Sequence, residues 1–530
     1  MKNIKIYLTL LLFVFLGISC FKDDSNYDFG TRVYDDASIT MDAIPTFTLG
    51  DPVIVRPKEF KSGPYAYQEI DSTKFRWEYY APNFSEDPTV PICTTMTFKR
   101  DLSKEGAVVN TSYSMLLRAI DDYGNVYDCT FSVKYGPKIP YSSRWAILAE
   151  GNNRESIMHL ITGTDTSNFK VYNNCAKLVG SPSLGTGPQR IWYADNGMGH
   201  VGLVQESSKM EIISVYTFAT YRSLSQLFQG GVVPAGVNPV YDMTIQGAVS
   251  LLWNNDGKLY TKIHIPNTSS NANNALNTKF TEKTLKHDDG SEVNCGFIIT
   301  KEENPRQRKD VIIYDKTKNG FFLVCGKDLK NAGKVVPIYA PTSNANLAEP
   351  LPEPYNLSGY EVIYAESQGY AINTHYAFLR KDGKLYYYCI TFATDSYYSP
   401  KVARATKLVM NEITDFPDEF PTDPKLYDIQ PAGTYLFFVP KSDKKSIYYY
   451  DMNTNKVRVY MRFEGGEDIT RIHCDYMSTA TKATKLGVAK GNKFYILNAA
   501  SGYLHQDVLF EDKIIGEFEF DEKVVDFFYR

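Results

Sequence analysis

Apolar and polar residues alternate with a period of two through most of the chain, and few stretches carry the 3.6-residue repeat of an amphipathic helix. Within Lys74 to Tyr79, for example, Phe75, Trp77 and Tyr79 fall on one face of a strand. Asp51 to Pro57 reads as another strand, bracketed by prolines. Tyr113–Ile120 and Val126–Val133 alternate on either side of Asp121-Asp122-Tyr123-Gly124-Asn125, a turn cluster that predicts a β-hairpin. Turn chemistry accounts for the two acids more simply than a calcium site, because Asp and Gly supply the dihedrals of a tight loop. About seven short strands across residues 31–136, with Trp77 on a middle one, predict an immunoglobulin-like sandwich. Residues 137–140, Pro137-Lys138-Ile139-Pro140, read as a linker, since the prolines cannot extend a strand.

Residues 141–530 carry recurring hairpin signals. Asp256-Gly257-Lys258-Leu259-Tyr260 returns as Asp382-Gly383-Lys384-Leu385-Tyr386. A looser form, a polar turn leading into an apolar-aromatic strand, starts at Ile157, Met210, Leu259, Phe321, Leu385, Ile447 and Phe494. The mean spacing of about 56 residues exceeds the ~40–50 of common propeller repeats, and loop insertions such as Asn267 to Glu292 supply the difference. So many antiparallel strands must close, stack as a sandwich or repeat radially to protect their edges. The regular period favours a β-propeller, with seven blades ahead of six or eight; a stacked sandwich or two smaller β domains is the alternative. Lys523 to Tyr529 is strand-like and is expected to pair near Arg144 to Leu148, closing the ring. Short helical turns are expected around Ser223 to Phe228 and no long helix. The fold class is all-β.

The first residues depart from this pattern. Lys2 and Lys5 precede an apolar run from Ile6 to Leu16, too short to span a membrane with confidence and right for a signal peptide over residues 1–19. Gly17-Ile18-Ser19 before Cys20 has the form of a bacterial lipobox, which makes Cys20 the lipidated residue. Residues 20–30 then form a tether, in which Lys22, Asp23 and Asp24 resemble the export signal of Bacteroidota-type surface lipoproteins. The expected location is the outer membrane, lipid-anchored and facing the exterior.

Composition narrows the partners. With 57 basic and 61 acidic residues there is no electrostatic reason to expect nucleic acid. Seven cysteines besides Cys20 include no C-x-x-C pair, so no zinc or thioredoxin motif is written; Cys93 and Cys129 are close enough in sequence to pair within the first domain. No H-E-x-x-H and no phosphate-binding loop occur, and Ser183 lacks the glycine a nucleophile elbow needs two residues earlier. None of the seven histidines has a second one at metal-ligand spacing, and His287-Asp288-Asp289-Gly290 reads as a solvated loop. No catalytic residue, metal or cofactor is expected. The candidate ligand contacts are aromatic, because Tyr and Trp near loops offer rigid area with a polar tip: Trp192, Tyr193, Trp253, Tyr355, Tyr397 and Tyr398.

The lipobox with Lys22-Asp23-Asp24, the sandwich with Trp77, the Asp121–Asn125 hairpin and Ser143-Arg144-Trp145-Ala146-Ile147-Leu148-Ala149-Glu150 stand in one order. Together they resemble the PKD-like family of Bacteroidota surface lipoproteins. That resemblance implies a PKD/Ig-like sandwich before the propeller. It also implies a non-enzymatic accessory role beside a TonB-dependent importer of the SusC/SusD (RagA/RagB-like) type, capturing oligopeptides or glycans. The rival expectation is a propeller hydrolase or lyase acting on glycans, with carboxylates from separate blades meeting at the axis.

Overall fold

The computed structural model describes residues 38–529, apart from 63–64, 67, 86, 108–110, 140–143, 164–167, 195–198, 245–246, 266–276, 300–309, 368–373, 393–397, 400–401, 415, 417–420, 431–434, 476–483 and 505–507. Cys20, Lys22, Asp23 and Asp24 lie outside the described residues. Two compact units divide at Lys138/Ile139, inside the Gly136–Pro140 stretch. Strand dominates both. The α-helices among the described residues are Cys175–Val179 and Leu224–Leu227, the latter capped by Ser223 and Gln226. None of the described helices is long and apolar enough to cross a membrane.

In the first unit a six-stranded sheet is built around Val126–Gly136 and Ser112–Asp121, which pair antiparallel. Phe75–Tyr80 extends it on one side, Ser38–Met41 and Pro57–Ser62 on the other. A two-stranded sheet, Val53–Val55 with Phe98–Arg100, shares its core: Val53, Val55 and Phe98 join Trp77, Tyr79 and Tyr127 in one buried cluster. Asp121 accounts for the hairpin turn. Its Oδ1 accepts the N–H groups of Tyr123 at 3.0 Å and Asn125 at 2.8 Å, the work expected of a turn acid. Cys93 and Cys129 are both half-buried free thiols.

Among the described residues, the second unit runs through seven antiparallel-based sheets in succession. Each of the seven apolar positions that mark the repeat in the sequence lies in a different sheet. Ile157, Met210, Leu259, Phe321, Leu385, Ile447 and Phe494 are each the first or second residue of the third strand. The twin Asp-Gly-Lys-Leu-Tyr segments make the turn into that strand in the third and fifth sheets, with Gly257 at φ 87° and Gly383 at φ 76°. A left-handed turn there matches the twist of the flanking strands, which explains why Asp-Gly recurs at this point.

The first sheet is assembled from both ends of the unit. Lys523–Tyr529 pairs antiparallel with Arg144–Glu150, which continues into Ser156–Thr162 and Lys170–Tyr172. Trp145, wholly buried, packs its ring 4.8 Å from Tyr529, 5.4 Å from Phe494 and 5.9 Å from Phe527, so that the seventh sheet joins the same cluster. Gly487 of the seventh sheet makes room for it: a Cβ there would stand 2.6 Å from the Trp145 ring.

A bulge between Val524 and Asp526 re-aims the closing strand and sends Asp526 inward, fully buried. Its Oδ2 accepts the Ile191 N–H of the second sheet at 3.0 Å, and its Oδ1 lies 2.6 Å from Arg471 Nε of the seventh. One carboxylate thereby ties three neighbouring sheets. Burial by itself would raise its pKa, but Arg471, then Lys425 and Arg190, hold it below the ordinary carboxylate range.

Two outcomes follow from this closure. Asp526→Asn removes the buried counter-charge of the half-buried Arg471, Lys425 and Arg190 and is expected to cost about 3–5 kcal/mol in denaturant unfolding, the range for breaking a buried pair. Because the folded pKa is depressed, Asp526 contributes fully at neutral pH and its contribution fades as pH falls below about 4; the acid limb of wild-type stability is therefore flattened in the variant. Gly487→Ala drives a methyl group into Trp145 and Phe527 and is expected to cost about 1–3 kcal/mol by the same measurement.

Candidate functional site

Edge strands from the second to seventh sheets converge on one cavity of about 170 Å³. Runs of neighbouring residues on the edge strands line it, Arg471-Ile472-His473 and Tyr364-Ala365-Glu366 among them. In Ile469–Cys474, Arg471 and His473 turn to the cavity, while Cys474 packs into a core cluster. In Glu361–Ser367 the same spacing brings Tyr364 and Glu366 to it. Lys425 and Asp428 arrive from the short turn Pro424–Leu426 and the strand Tyr427–Ile429 behind it.

One side of the cavity is cationic. The Arg190 guanidinium stands 4.1 Å over the Tyr241 ring. Lys425 Nζ donates to Gln189 O at 3.2 Å, reaching from the sixth sheet to the second. Arg471 Nε, beside Asp526, also donates to Phe527 O at 3.2 Å. Burial pulls the Lys425 ammonium pKa down; Asp526 opposes the shift, while Arg471 and Arg190 add to it.

Another part is acidic. Glu366 Oε2 and Asp428 Oδ1 accept the same N–H, that of Ile429, at 3.0 and 2.8 Å. Asp428 Oδ2 accepts the Cys474 N–H and lies 3.1 Å from His473 Nδ1. Aromatic faces join the two regions: Tyr364 stacks on Tyr427 at 4.7 Å, and Trp253 meets Tyr241 edge-on at 5.6 Å. Burial, reinforced by Glu366, pushes the Tyr364 phenol well above its usual range, so it stays protonated as a hydrogen-bond donor. Cations, carboxylates and ring faces together suit recognition of a polar ligand with an apolar face.

Of the aromatic residues singled out in the sequence, Trp253 lines this cavity. Trp192 and Tyr193 lie instead in the interior. Trp192 is 1% exposed and donates its Nε1–H to Asp242 Oδ1 at 3.0 Å, and Tyr193 packs in the cluster of Ile191 and Phe528. Both fill space between sheets because their strand is an inner edge covered by its neighbours. Tyr355 is half-buried against Tyr339 at 4.6 Å, outside the cavity lining. Tyr398 belongs to the short strand Tyr398–Ser399, and Tyr397 lies outside the described residues.

His287 departs from the solvated-loop expectation. It is buried and bonds Asp315 Oδ2 at 2.9 Å, while Asp288 and Asp289 next to it are exposed. Two other histidines make buried pairs with serine, His264 with Ser250 at 3.0 Å and His375 with Ser367 at 2.8 Å, neither lining the cavity. Among the described residues no group of three or more His, Cys, Asp or Glu is placed to hold a metal ion. The charged residues of the cavity escaped the sequence reading. Their only signal was a charge set into a strand-like run with apolar neighbours, as in Ile469-Thr470-Arg471-Ile472-His473-Cys474.

No protein-family model matches the chain, and no curated protein matches it. Among solved structures, the chain is similar over 73% of its length to a crystal structure of the computationally designed Ika8 protein, at 10% identity, 90% coverage of that chain and a TM-score of 0.34. It is also similar over 73% of its length to apo AztD from Citrobacter koseri, at 11% identity, 98% coverage and a TM-score of 0.37.

Proposed function

We propose that this chain is a lipid-anchored binding protein of the outer-membrane surface, in which a PKD/Ig-like sandwich carries a seven-bladed β-propeller that holds a ligand on its axis. Support for the propeller comes from the seven successive sheets, the closing strand Lys523–Tyr529 and the convergence of edge strands on one cavity. The observation that carries the binding role is the make-up of that cavity, where Arg190, Lys425 and Arg471 meet Glu366, Asp428 and several ring faces. The lipobox at Cys20 and the resemblance to PKD-like surface lipoproteins supply the address and the company: an accessory of a SusC/SusD-type importer that captures oligopeptides or glycans. Binding without catalysis is favoured because main-chain N–H groups already occupy one oxygen of Glu366 and both oxygens of Asp428.

One observation favours a second reading. Glu366 and Asp428 accept a single N–H, which holds two carboxylates close together in the cavity, as a glycan hydrolase requires. Release of reducing ends from a surface glycan by the wild-type chain, abolished in Glu366→Gln, would establish that reading over the first.

The address has its own test. Cys20→Ser is expected to move the protein from the outer-membrane fraction to the soluble periplasm, and affinity capture of the wild type is expected to recover an importer component. Wild-type protein that stays in the periplasm, captured without any such component, contradicts the proposal.

A further inference from the structure

We infer that Lys425 is a reactive amine, which captures a small aldehyde or ketone in the cavity as an imine. This rests on the binding role proposed above and names its ligand class. Lys425 sits on a turn rather than a strand. Asp423 Oδ1 accepts the Lys425 N–H at 2.9 Å, and Pro424 stiffens the start of the Pro424–Leu426 turn, so the backbone from which the side chain departs is held. Arg190 and Arg471 line the same cavity but cannot act as nucleophiles, because a guanidinium does not deprotonate in proteins. Accessibility sets Lys425 apart from other lysines. Among the described residues, burial makes the amines of Lys262, Lys425, Lys490 and Lys513 less basic. Lys262, Lys490 and Lys513 are buried, at 1%, 8% and 1% exposure, whereas Lys425 is half-buried and lines a cavity. A lysine desolvated beside other cations is the usual form of an activated amine.

The hydrogen bonding of the amine suits this chemistry. Lys425 Nζ donates to Gln189 O at 3.2 Å. A neutral amine keeps that bond with one N–H and directs its lone pair elsewhere. The lone pair forms a C–N bond to the carbonyl carbon, the C=O π pair moves to oxygen, and a proton released by nitrogen goes to that oxygen. The carbinolamine then expels the oxygen as water and the C=N bond forms; no oxidant or reductant takes part. Once protonated from solvent, the imine again carries one N–H, which fits Gln189 O as before. Trp253 and Phe297 line the cavity with apolar surface, and where water is scarce the reverse hydrolysis is slowed.

The test uses the full chain with glyceraldehyde and sodium cyanoborohydride, which reduces an imine to a stable secondary amine. Peptide mass mapping then gives the rate of labelling at each lysine. At pH 7 Lys425 is expected to be labelled at least about tenfold faster than the exposed Lys330 and Lys456, the factor for one pKa unit of added free amine. Its rate is expected to level off at a lower pH than theirs. Lys425→Arg, which keeps the charge and a donor for Gln189 O, is expected to lose that adduct alone. The wild-type rates need no substitution, so a variant that fails to fold leaves the result readable. A mixed peptide digest and a mixture of reduced malto-oligosaccharides serve as cavity occupants, and at least one is expected to protect Lys425 but not Lys330. Labelling of Lys425 no faster than Lys330 and Lys456, with that protection retained, overturns the imine while leaving a binding cavity. Equal labelling with no protection by either mixture overturns both.

Discussion

A single buried carboxylate ties three sheets of the second unit at the point where the chain closes. Asp526 sits on the last strand of the chain, where that strand completes a sheet begun nearly 400 residues earlier by Arg144–Glu150. Strand pairing supplies the backbone bonds and Trp145 packs the seventh sheet into the same apolar cluster, but neither ties both neighbouring sheets at once. Asp526 does so by bonding Ile191 on one side and Arg471 on the other. A lone buried carboxylate would be strongly disfavoured; here three cations outweigh the desolvation. The bulge at Val525 is the local irregularity that makes this possible, because an unbroken ladder would set Asp526 in a different register.

The same cations connect closure to function. Arg471 must stay beside Asp526 for the sheets to remain joined, and it also faces the cavity. Lys425 reaches across to Gln189 and extends the network to the sixth sheet. In the proposed reading, a ligand meets charges that the fold already needs. The site is then preorganised: its cations cannot relax away without opening the unit, and little ordering remains to be done on binding. The acids opposite are constrained in the same manner, since Asp428 links Ile429 to Cys474 of the next sheet.

The repeat was legible in the sequence because hairpin turns are local. Asp-Gly pairs and the apolar position that follows each turn need only a few residues to be recognised, and the seven apolar positions fall at equivalent places in seven sheets. The pairing of Lys523–Tyr529 with Arg144–Glu150 was legible too, from the need to cover sheet edges. The cavity was not. Its residues are spaced tens of positions apart and meet only because successive sheets present equivalent edges to one space. Arg471 or Glu366 alone looks like a surface charge in a strand. Trp192 misled for the converse reason: aromatic residues near strand ends look available, and only the neighbouring sheet, with Asp242 waiting for its indole N–H, shows that this one is packed. His287 was hidden in the same way, since Asp315 comes from another sheet.

Native-state hydrogen exchange tests the central claim directly, by comparing the first sheet with the third and fifth. If Asp526 and the closing strand lock the unit, amides of Lys523–Tyr529 and Arg144–Glu150 exchange only through global unfolding, with the same free energy as the best-protected strands elsewhere in the unit. Exchange of the closing strand at a distinctly lower free energy, while the other sheets stay protected, would contradict it.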